Sequence, residues 1–62
     1  MCESSVVLDA KGKRETLMKD VIRILVKGDT IELIGLFGER ESIRGSIFDI
    51  DMNKHEIVIK GE

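Results

Sequence analysis

Val21-Ile22-Arg23-Ile24-Leu25-Val26-Lys27-Gly28-Asp29-Thr30-Ile31-Glu32-Leu33-Ile34-Gly35 is the stretch that decides the fold, because its first half suits either a helix or a strand. As a helix capped at Thr16, it would place Leu17, Met18, Val21, Ile22 and Leu25 on one face and run to Val26. Two features oppose that reading. Val21, Ile22, Ile24 and Val26 are β-branched and lose side-chain freedom in a helix, and Gly28-Asp29 is a turn signal leading into the alternating Thr30-Ile31-Glu32-Leu33. Strand is therefore the stronger reading of residues 15–26, and the whole stretch reads as a hairpin. Its core face would carry Ile22, Ile24 and Val26 on one arm and Ile31 and Leu33 on the other.

Outward from the hairpin the pattern repeats. Val6-Val7-Leu8, Ile43 to Ile50 and Ile57-Val58-Ile59 are short apolar runs rich in Ile and Val, separated by Lys11-Gly12-Lys13, Gly38-Glu39-Arg40-Glu41 and Asp51-Met52-Asn53-Lys54-His55. In the run from Ile43 to Ile50 the parity slips: Ile43 and Ile47 agree, whereas Phe48 and Ile50 belong to the other set. A bulge at Gly45-Ser46 accounts for the slip and bends the sheet. Residues 1–62 contain no proline, repeat or linker. They read as a single all-β domain, a strongly bent antiparallel sheet of five to six strands that coils toward a barrel.

Composition narrows the function. A chain of 62 residues buries only about 60% of its unfolded surface, which leaves little room for an enzyme cleft. Domains this small lean on disulfides, a metal or a partner subunit, and the single cysteine, Cys2, removes the first. Apolar residues at 42% and charged residues at 35% indicate a globular chain, and no apolar run approaches a membrane span. A net charge of -2 lacks the cationic excess behind most nucleic-acid affinity, so nucleic acid is not the expected partner. No export signal opens the sequence, and the expected compartment is the cytoplasm.

Catalytic constellations are scarce. Ser4, Ser5, Ser42 and Ser46 lie outside any nucleophile elbow, and the glycines match neither phosphate-binding fingerprint. The pairs Asp49/Asp51 and Glu39/Glu41 stand beside turns and read as solvated strand ends. His55 reads as a strand-entry residue before a ligand, since only Asp51 lies near it in the segment. Met1, Met18 and Met52 show no soft-metal spacing, and Phe37 and Phe48 sit within apolar runs that suggest core packing.

Cys2 is chemically distinct. It offers a thiolate beside its own backbone nitrogen, with a free amine added if Met1 is removed, and thiolate plus nitrogen in a plane suits Ni(II). One chain supplies half of such a site, and a two-fold homodimer would supply S2N2. Cys2 shares parity with Ser4, Val6 and Leu8 and so tends toward the apolar side. From residue chemistry alone, an incidental terminal thiol remains the plainer reading.

Met1-Cys2, Val6-Val7-Leu8, Asp20-Val21, Leu36-Phe37-Gly38-Glu39, Ile50-Asp51 and His55-Glu56-Ile57-Val58, in this order and spacing, resemble the CooT family. Its members are small nickel-binding accessory proteins linked to carbon monoxide dehydrogenase maturation. The resemblance implies an SH3-like or Sm-like barrel, a homodimer, and Ni(II) held at the interface by Cys2 of both chains, delivered to a nickel-enzyme client. Glu3-Ser4-Ser5 departs from the smaller or more apolar residues usual after the cysteine. The family also bears a label as RNA-binding. The alternative function is thus an RNA-binding or protein-interaction barrel without a metal role.

Overall fold

The computed structural model describes residues 4–61, and all their regular structure is strand: β1 (Ser4–Ala10), β2 (Lys13–Lys27), β3 (Thr30–Gly35), β4 (Arg40–Asp51) and β5 (Glu56–Gly61). Consecutive strands pair antiparallel, and β1 pairs with β5 to close the sheet into a barrel in the order β1-β2-β3-β4-β5. The all-β expectation holds, with five strands. Closure adds one feature beyond the antiparallel expectation, since the β1–β5 seam is parallel, with Ser5↔Glu56 through Asp9↔Lys60.

Two long strands each serve two neighbours, which is how so short a chain closes a barrel. β2 pairs with β1 over Lys13–Val21 and with β3 over Val21–Lys27. Where it changes partner, Asp20 takes φ 56° and the β2–β3 register shifts between Val21 and Arg23. β4 pairs with β3 over Arg40–Arg44 and with β5 over Gly45–Asp51. A Cβ on Gly45 would collide with the Lys60 carbonyl oxygen, so glycine permits the crossing of β4 over β5.

Inside lie Val6, Val21, Ile31, Leu33, Ile57 and Ile59, with Leu8, Leu17, Met18, Ile24, Ile43 and Ile47 packed around them. Full burial of each such side chain contributes about 2 kcal/mol. Val7 and Val58, paired across the parallel seam, alternate away from this cluster and are also buried.

The structure corrects five expectations. Ile22 leaves the core face and is 57% exposed, because the register shift gives its inward place to Val21. Ile24 keeps its place opposite Leu33, and Val26, opposite Ile31, lies at the open hairpin end and remains exposed. The slip in β4 is real, but the β4–β5 irregularity falls between Ile47 and Asp49 rather than at Gly45-Ser46. It turns Phe48 outward, where the Lys60 ammonium lies 4.9 Å from the ring centroid. Phe37, at a turn tip, is 80% exposed. Neither phenylalanine is a core residue, so the lack of exposed aromatic rings no longer counts against nucleic acid, while the charge balance still does.

Candidate functional site

Six residues follow one another around one rim of the barrel through the strand pairings: Asp51↔Glu56↔Ser5 on one side, and Ser4↔Val21↔Gly35 on the other. This rim, here called the mouth, surrounds the start of β1, two residues after Cys2. Cys2 itself lies outside the described residues. The alternation that linked it to Val6 is interrupted inside β1, where the pairing with β2 shifts between Ser4 and Val6.

Two turns build the mouth. In the β4–β5 turn, Asp51 Oδ1 accepts from the backbone N–H groups of Asn53 at 3.0 Å and Lys54 at 3.1 Å. The turn closes with His55 at φ 52°, and the His55 carbonyl accepts from Ser5 N–H at 2.9 Å. The Asp51 carboxylate thus shapes a turn, and exposed His55 ties that turn to β1 through its backbone.

The second turn is Leu36-Phe37-Gly38-Glu39. Glu39 Oε1 accepts from Phe37 N–H at 2.9 Å, while the Gly35 N–H donates to the Glu39 carbonyl at 2.8 Å. Leu36 N–H donates to the Asp20 carbonyl at 2.8 Å, which fastens the turn to the kink of β2. A Cβ on Gly35 would stand 2.5 Å from Glu39 Oε1, so glycine leaves room for the folded-back carboxylate. Of the carboxylate pairs read as solvated strand ends, Glu39 and Asp51 carry these structural bonds.

Around these turns stand apolar side chains whose exposure the sequence reading missed. Ile22 follows Val21, Leu36 and Phe37 follow Gly35, and Ile50 and Met52 flank Asp51; Met52 is 76% exposed and Ile50 53%. Alternation gave no signal for Ile22, which a bulge displaces, whereas Ile50 keeps its register opposite core Ile57 and is exposed near the end of β4.

The opposite rim is rich in charge of both signs, with Asp9, Glu15, Asp29 and Glu32 set among its cations. Lys11, Lys13, Arg14, Lys27, Arg44 and Lys60 gather there through Ala10↔Lys13, Asp9↔Lys60 and Lys27↔Thr30↔Arg44. Arg14 Nε meets Asp9 Oδ2 at 3.4 Å and Lys27 Nζ meets Glu32 Oε1 at 3.8 Å. A shallow cleft of about 440 Å³ opens on this side between Leu8, Ala10, Lys11, Lys13, Arg14 and Glu15, far from the mouth. Among the described residues no group of three or more His, Cys, Asp or Glu could hold a metal, and no helix is long and apolar enough to cross a membrane.

Comparison with known proteins now bears on these features. The crystal structure of a protein described as CooT from Carboxydothermus hydrogenoformans superposes with a TM-score of 0.88 over 98% of each chain at 24% identity, which shows a shared fold. An uncharacterized protein of Archaeoglobus fulgidus is 33% identical over 45 residues, covering 73% of this chain and 100% of that one. Another, from Methanocaldococcus jannaschii, is 40% identical over 47 residues, covering 76% of this chain and 82% of its own length. Over residues 1–60 the sequence matches the family described as CO dehydrogenase accessory protein CooT, a span that takes in both Cys2 and the Leu36–Glu39 turn. The chain belongs to the CooT family of CO dehydrogenase accessory proteins.

Proposed function

We propose that two copies of this chain hold one Ni(II) between their Cys2 residues and carry or store it in the cytoplasm for a nickel enzyme, with CO dehydrogenase as the client. The observation that carries this reading is the family match across residues 1–60, Cys2 included, on a barrel with a single thiol. In this reading the donors beyond one thiolate come from a second copy and from backbone nitrogen. Thiolate sulfur and amide or amine nitrogen form a planar set that Ni(II) accepts and that tetrahedral Zn(II) does not favour. Both ligand types bind deprotonated, so binding releases protons and affinity rises with pH.

Nickel titration followed by thiolate-to-metal absorption tests the proposal. Wild type should saturate at one Ni(II) per two chains, and Cys2→Ser should lose at least a hundredfold in affinity along with the absorption band. Equal affinity in Cys2→Ser refutes the site.

Exposed Phe37 and Phe48 and the cations of the opposite rim favour a second reading, an RNA-binding barrel. It predicts RNA affinity that falls steeply with salt and does not depend on Cys2.

A further inference from the structure

We infer that the outer face of β2, β3 and β4, through Arg23, Lys27, Arg40 and Arg44, docks an acidic, extended peptide segment of a partner protein. The inference does not depend on the metal reading.

Strand pairing assembles the face. Ile31 and Leu33 point into the barrel and are fully buried, so Thr30, Glu32 and Ile34 point outward. Residues paired directly across a sheet share a face. Lys27 and Arg44 therefore flank Thr30 in one row, and Arg23 and Arg40 flank Ile34 in another. Between the rows, Glu32 stands beside Leu25. Ion pairing agrees with this placement, since Glu32 Oε1 lies 3.8 Å from Lys27 Nζ and Glu32 Oε2 lies 3.4 Å from Arg40 Nη1. With strands about 4.8 Å apart and a rise of about 3.4 Å per residue, the four cations mark the corners of a rectangle of about 10 by 14 Å.

Positive charge is concentrated there. All four corners are exposed, and Glu32 is the one carboxylate between them. Glu41 pairs with Leu33 and has the opposite parity, while Asp29 lies in the turn beyond the face. Four cations and one carboxylate leave the face three net positive charges, in a chain whose net charge is -2, so the remainder carries five net negative ones. Lys27 and Arg40 are tied to Glu32, whereas Arg23 and Arg44, at opposite corners, have no carboxylate within 4.0 Å among the described residues.

The character of the face selects the ligand. Half-buried Leu25 and Ile34 place apolar surface between the cations. Phe37, at a turn tip, and Phe48, on the half of β4 that pairs with β5, both lie off it. The face therefore lacks the ring platforms on which single-stranded nucleic acid stacks its bases. Central Glu32 also opposes a phosphate backbone, whereas a peptide brings N–H groups from which a carboxylate accepts. An extended segment of five residues spans about 14 Å. Carboxylates near its two ends reach Arg23 and Arg44, and its apolar side chains lie over Leu25 and Ile34.

Fluorescence anisotropy of labelled hexaglutamate tests the inference on wild type, Arg23→Gln/Arg44→Gln, Lys19→Gln/Lys54→Gln and Glu32→Gln, with labelled hexauridylate as a second probe. Lys19 and Lys54 are exposed and off the face, so their variant changes net charge equally. Wild type should bind hexaglutamate, the paired arginine variant at least tenfold more weakly, and the paired lysine variant within about twofold of wild type. Glu32→Gln keeps an acceptor and releases Lys27 and Arg40, so it should tighten binding about threefold, an effect opposite in sign to any loss from misfolding. Wild type that does not bind hexaglutamate, equal weakening in the two paired variants, or weaker binding by Glu32→Gln overturns the inference. Hexauridylate bound more tightly than hexaglutamate, and lost with Arg23 and Arg44, also overturns it and makes the face a nucleic-acid surface.

Discussion

The two rims of this barrel are built from the same five strands and have opposite surfaces. At the mouth, Ile22, Leu36, Phe37, Ile50 and Met52 are exposed around turns held by Asp51 and Glu39. At the other rim six cations crowd the hairpin ends, and a glycine lets β4 press on β5. Exposed apolar groups are gathered at one end, whereas the other end carries solvated charge of both signs. The difference separates an adaptable end from a locked one: the mouth carries exposed side chains on turns, and at the far rim Gly45 lets β4 press on β5.

Glycine substitution draws that contrast most sharply. Gly45→Ala drives a methyl group into the Lys60 carbonyl, a backbone atom that cannot step aside, and should cost about 3 kcal/mol in denaturant unfolding. At the mouth, Gly35→Ala meets chiefly the end of the Glu39 side chain, which can swing away, and should cost about 1 kcal/mol. Equal losses would remove the distinction between a locked rim and an adaptable one.

Removing a turn acceptor is a smaller perturbation. Asp51→Ala leaves the Asn53 and Lys54 N–H groups to water and should lower stability by about 1 kcal/mol. The Ser5–His55 bond depends on that turn, so amide exchange at Ser5 should quicken more than exchange at Leu8. Uniform quickening along β1 would show that Asp51 supports the whole barrel rather than the mouth.

The smallest effect belongs to the charged rim. Arg14 is 57% exposed and its pairing with Asp9 is loose, so Arg14→Gln should change stability by less than about 0.5 kcal/mol and leave sedimentation unaltered. A loss above about 1 kcal/mol would show that this loose pair supports the closed rim.

Much of the fold was legible because it is local. Gly28-Asp29 and the alternation of Ile31 and Leu33 settled residues 15–26 as strand, and the β-branched cluster outweighed the helical spacing of Leu17, Met18 and Leu25. What escaped depends on partners distant in sequence. Whether Ile22 faces in or out is set by a register shift against β3, and the position of the β4 bulge by its pairing with β5. The parallel seam left a trace: Val6-Val7 and Ile57-Val58-Ile59 are unbroken apolar runs where alternation would be expected, as strands buried on both faces require. In the candidate site, Cys2 stood out by its chemistry, while the carboxylates beside turns hid their hydrogen bonds behind an ordinary surface pattern.

Native mass spectrometry of the full chain with one equivalent of Ni(II) tests the central claim most directly, because mass reports chain number and metal number in the same ion. The account predicts a species of two chains and one nickel that disappears in Cys2→Ser. Nickel bound to single chains, or dimers of Cys2→Ser carrying nickel as wild type does, would contradict it.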